Sequence, residues 1–128
     1  MTQLDHARLL YRKACQDRAI LTHIVGEPEI DDDAVGFHVQ QAIEKLLKSA
    51  LAARGREYPR THDLRVLIEL LRELGEQIPE SCRDIDELTP FATVFRYDDV
   101  SLGNTARRKE WLSIVDDLST FVAERLGE

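Results

Sequence analysis

Asp32 to Arg54 reads DDAVGFHVQQAIEKLLKSALAAR, without a proline. Its apolar residues Val35, Val39, Ala42, Ile43, Leu46, Ala50 and Ala53 recur mostly at intervals of three and four. That is the period of an α-helix with one broad face turned to a core. Asp31, Asp32 and Asp33 offer an N-cap and negative charge at its start. Gly55 ends it as a C-cap glycine does. On the other side of this helix, His38, Gln41, Lys45 and Lys48 follow spacings of three, four and three, so they line one face. The row is rich in hydrogen-bonding groups and holds no acid. It is either a solvated surface or a binding face.

Working towards the N-terminus, Gly26-Glu27-Pro28 breaks the chain, and a helix is predicted before it, from Gln3 to Val25. Ala7, Leu10, Ala14, Leu21 and Ile24 form its apolar stripe, and Asp17 lies on that same stripe. A carboxylate on an apolar face needs a partner or an opening to water. Asp17 is therefore either half of a structural pair or a group that orients a site residue.

Towards the C-terminus, Thr61 is placed to N-cap a third helix, with Leu64, Leu67, Ile68, Leu71 and Leu74 facing inward and Gly75 closing it. The segment up to Asn104 is too apolar for a plain linker, and a short helix is predicted around Asp84 to Phe95. A last helix from Thr105 to Arg125 buries Trp111, Val115, Leu118 and Val122. No alternating strand pattern of useful length appears. The expected fold is all-α: an antiparallel four-helix bundle with an additional short helix before the last long one, residues 1–128 forming one domain.

The 128 residues fit a single core. No apolar run approaches the roughly 20 residues that cross a bilayer. The N-terminus lacks the basic start and apolar run of a signal peptide, so a cytoplasmic protein without membrane association is expected. Cys15 and Cys82 fit no metal-ligand spacing and read as two reduced thiols. The net charge of −7 disfavours bulk attraction to nucleic acid. Between Lys45 and Arg65, however, six bases face two acids. That local excess is either an anion or RNA contact, or a surface whose charges are balanced in space.

Phe37-His38-x-Gln40-Gln41-Ala42-x-Glu44-Lys45, then Gly55, then Pro59-Arg60-Thr61-His62-Asp63-Leu64 resembles the signature of the HEPN family, the "higher eukaryotes and prokaryotes nucleotide-binding" domain. Ala14 to Asp17 resembles its A-x-x-D in the first helix. Leu88-Thr89-Pro90-Phe91-Ala92 and Arg96-Tyr97 resemble the segment before its last helix. The resemblance implies a four-helix bundle. It also implies a small prokaryotic protein that binds a minimal nucleotidyltransferase, often in a toxin–antitoxin module, and that is commonly a homodimer. Some members of the superfamily are metal-independent ribonucleases whose motif is an arginine, four to six residues, then a histidine.

Arg56 and His62 stand with five residues between them. On that carry-over His62 is the acid or base, since a histidine can take a proton from an RNA 2′-hydroxyl. Arg56 is the phosphate clamp, with Arg60 as its rival. The alternative is structural: Asp63 complements a helix start and His62 bonds a neighbour. The row His38, Gln41, Lys45 and Lys48 is the candidate nucleotide-binding face, although no glycine-rich phosphate loop accompanies it. No metal site and no cofactor are expected. Tyr97 is either a hydrogen-bond donor to the same cleft or a packing residue. Tyr11, Tyr58 and Tyr97 are the tyrosines that a nucleotidyltransferase would have available to modify. Nothing singles out His6 or His23. Three readings follow: a partner-binding module, ranked first; an RNA endonuclease toxin acting through His62; and nucleotide binding without turnover.

Overall fold

The computed structural model describes residues 2–92 and 105–128. Four α-helices form in chain order, α1 (Gln3–Ile24), α2 (Asp32–Ala53), α3 (Leu64–Glu73) and α4 (Thr105–Leu126). Two 3-10 segments, Glu80–Cys82 and Ile85–Ala92, lie between α3 and α4. There is no strand among the described residues. The fold is the expected all-α bundle, and the short helix takes the tighter 3-10 form. The Val94 and Phe95 end predicted for it, and Tyr97, lie outside the described residues.

The helix read first in the sequence is the central one. Thirteen of the 22 residues of α2 are buried, and it packs against α1, α3, α4 and the second 3-10 segment. Val35, Val39, Ala42, Ile43, Leu46 and Ala50 have no accessible surface. Each large aliphatic side chain among them contributes about 1.5–3 kcal/mol relative to exposure. Helix α1 runs antiparallel to α2: Ser49 Oγ donates to the Ala7 carbonyl at 2.7 Å, while Asp17 reaches back to His38 and Lys45.

The helix ends follow local rules. Thr2 and Asp5 bond each other's backbone N–H, forming a capping box that starts α1. Gly55 at φ +68° and Gly75 at φ +83° sit just past α2 and α3. At both, the paired backbone bonds of a Schellman turn form, Gly55 to Ala52 with Arg56 to Leu51, and Gly75 to Arg72 with Glu76 to Leu71. Two N-caps differ from expectation. Asp31 stands at the start of α2 with no side-chain cap hydrogen bond. Helix α3 begins at Leu64, and its cap is Asp63, which accepts from the Arg65 N–H at 3.0 Å. Thr61 instead accepts from the Asp63 N–H, because its hydroxyl is spent in the turn that presents Asp63.

Gly36, in the second turn of α2, is required by packing. A Cβ there would lie 2.5 Å from the ring of Phe91, which also meets Trp111 edge-on at 5.3 Å. Gly36→Ala is expected to force the second 3-10 segment off α2 and destabilise by about 1–3 kcal/mol, the usual cost of overpacking. A thermal melt checks it; an unchanged midpoint contradicts the packing.

Candidate functional site

The polar face of α2 does not look straight into solvent. It lies along the α1–α2 seam and runs on to the loop before α3, and two buried carboxylates organise it. The first is Asp17 of α1, the carboxylate on the apolar stripe. It accepts from Lys45 Nζ at 2.6 Å and from His38 Nδ1 at 3.2 Å. The second is Glu44 of α2 itself. Its Oε1 accepts from His62 Nδ1 at 2.7 Å and from Gln40 Nε2 at 3.0 Å, and its Oε2 from Lys48 Nζ at 3.0 Å. Gln40 also donates to the His62 carbonyl, and Gln41 donates to Gln40. The acids missing from the row are thus supplied by a neighbouring helix and by the next position round the same helix.

The seam continues to the C-terminal end of α2. Lys48 Nζ stands over the Tyr58 ring, 5.5 Å from its centre. The Tyr58 hydroxyl and His6 Nε2 share a hydrogen bond of 2.8 Å. Burial, helped by the negative charge of Glu44, pushes the Tyr58 hydroxyl above the ordinary tyrosine range, which keeps it protonated.

Of the residues singled out in the sequence, His38 and Lys45 meet on Asp17, Lys48 and His62 meet on Glu44, and Gln41 joins through Gln40. The arginines are elsewhere. Arg56 pairs with Glu73 of α3 at 3.3 Å, exposed, with no bond to His62. Arg60 is exposed and forms no ion pair among the described residues. Glu44, Gln40 and His6 were not read as site residues, and Tyr58 was read only as a tyrosine open to modification. Glu44 carried a local signal, since Glu44 and Lys48 stand at i and i+4 in the favourable order. His6 and Tyr58 are 52 residues apart and had none.

Burial alone would raise the Glu44 carboxyl. Hydrogen bonds from Gln40, His62 and Lys48, together with the Lys48 charge, outweigh it and hold Glu44 below the ordinary glutamate range. The stability that Glu44 confers is therefore fully present above its unfolded value of about 4.3, and is lost as pH falls through the depressed folded value. Urea midpoints measured downward from pH 6 are expected to fall below about pH 4.3, and to fall less steeply in Glu44→Gln. Parallel profiles for the two proteins would count against the assignment.

Among the described residues no group of three or more histidine, cysteine, aspartate or glutamate side chains is placed to hold a metal. Both cysteines are free, and burial pushes the Cys82 thiol up to about 12, too high for a reactive thiolate. No described helix is long and apolar enough to cross a membrane.

A family model described as the HEPN domain matches residues 7–126. The chain belongs to the HEPN family. No curated protein and no solved structure matches it. The match runs from within the first turns of α1 to the end of α4 and takes in both carboxylates of the seam and the site candidates His38, Gln41, Lys45, Lys48, Arg56, Arg60 and His62.

Proposed function

We propose that this HEPN protein is one component of a prokaryotic toxin–antitoxin-like module and works bound, as a homodimer, to a minimal nucleotidyltransferase. The observation that supports this reading is how the basic segment is neutralised. Of its six bases, five have a carboxylate partner in the protein's own fold: Lys45, Lys48, Arg54, Arg56 and Arg65. A surface that holds nucleic acid by charge needs several uncompensated cations. An acidic body with its bases internally paired suits a protein partner better. Co-expression with a minimal nucleotidyltransferase encoded beside it, one chain tagged, is the test. Co-elution in fixed ratio is expected; separate elution would remove the reading.

A ribonuclease reading is favoured by one different observation, the His62–Glu44 pair. An imidazole backed by a buried carboxylate and still 54% exposed is arranged as a general base. On this reading the RNA 2′-oxygen bonds to the adjacent phosphorus as its proton passes to His62. The bond from phosphorus to the 5′-oxygen breaks, and that oxygen takes a proton from water, leaving a cyclic phosphate and a 5′-hydroxyl. Nucleotide binding without turnover has weaker support, because Lys45 and Lys48 are both committed to carboxylates. Calorimetric titration with ATP showing no heat at millimolar concentration would end it.

A further inference from the structure

We propose that Glu44 is a positioning residue: it fixes His62 in the Nδ1–H tautomer and so makes Nε2 the atom that the seam presents to an RNA 2′-hydroxyl. An ionised carboxylate only accepts hydrogen bonds. At 2.7 Å from Glu44 Oε1, Nδ1 must carry the proton, and a neutral ring then has a bare, accepting Nε2. Isolated imidazole side chains prefer the opposite tautomer, so without Glu44 the accepting atom would mostly be Nδ1. The donors are divided between the two oxygens: Gln40 and His62 on Oε1, Lys48 on Oε2. None has to be displaced for another. The backbone of His62 is held as well, by Gln40 at its carbonyl and by the Thr61–Asp63 turn that spans it. Two tethers on one residue fix both the direction and the height of the ring above α2. This is the support that an exposed catalytic base needs in order to meet its substrate at hydrogen-bond distance.

The use of Nε2 rests on the ribonuclease reading, whereas its presentation is a property of the free protein and can be read without RNA. Nitrogen-15 NMR of histidine-labelled protein near pH 8 distinguishes the protonated from the bare ring nitrogen. The His62 signals are assigned by their disappearance in His62→Gln. Wild-type His62 is expected to show a protonated Nδ1 and a bare Nε2, and Glu44→Leu to shift the ring to the Nε2–H form. A wild-type His62 protonated at Nε2 would overturn the assignment, as would an unchanged tautomer in Glu44→Leu. The wild-type spectrum decides even if Glu44→Leu fails to fold. A protein that shows the Nδ1–H form but cleaves no RNA refutes the ribonuclease reading and leaves Glu44 in its role. A protein that cleaves RNA with an Nε2–H ring refutes the role of Glu44 alone.

Discussion

Arg108→Ala is expected to lower the unfolding free energy by about 1–3 kcal/mol for each buried acceptor that loses its donor. The Arg108 side chain is 5% exposed. Its Nε donates to Asp32 at 2.6 Å, its Nη1 to the Glu27 carbonyl at 3.1 Å, and its Nη2 to the Ile30 carbonyl. One guanidinium therefore ties the α1–α2 loop and the start of α2 to α4. Alanine removes the cation and takes the donor from two loop carbonyls, those of Glu27 and Ile30. Against a typical total of about 5–15 kcal/mol, such a loss should move the urea midpoint far more than any surface substitution. Arg108→Lys restores the charge but not the planar fork, and should recover part of the loss. A midpoint unchanged in Arg108→Ala would show that this clamp carries no stability.

The largest expected effect on activity is at His62. If the protein cleaves RNA, His62→Ala should lower the rate by about 10²–10⁴-fold, the range of general acid–base catalysis, with an unchanged helical circular dichroism spectrum. Arg56→Ala should change it little, since Arg56 is engaged with Glu73. Arg60→Ala should cost more than Arg56→Ala, because Arg60 is the cation of that loop with no ion-pair partner among the described residues. Cleavage by His62→Ala at the wild-type rate would remove the ribonuclease reading. Equal losses in the two arginine variants would remove the distinction drawn between them.

The bundle was legible because each helix announces itself locally. The 3.6-residue period of α2 and the glycines after α2 and α3 act within a few residues. The cap of α3 was misread because Thr61 and Asp63 are both good caps two positions apart, and which one serves depends on the turn between them. At the site, the row on α2 and the isolated Asp17 were visible as polar residues at helical spacings. Their partnership was not, because the Asp17–Lys45 bond spans 28 residues and depends on how α1 lies on α2. Arg56 shows the converse. A spacing that matches a family motif said nothing about Glu73, which lies on α3 beyond the loop and pairs with it.

The account turns on Asp17 and Glu44 drawing residues from separate parts of the chain onto one seam, and a double-mutant cycle between Asp17 and Lys45 tests this most directly. Asp17→Ala, Lys45→Ala and the double variant are unfolded in urea at pH 7. A pair in contact is expected to show a coupling free energy between about 0.5 and 3 kcal/mol. Additivity within about 0.3 kcal/mol would mean that α1 and α2 do not share this bond, and the seam as described would not exist.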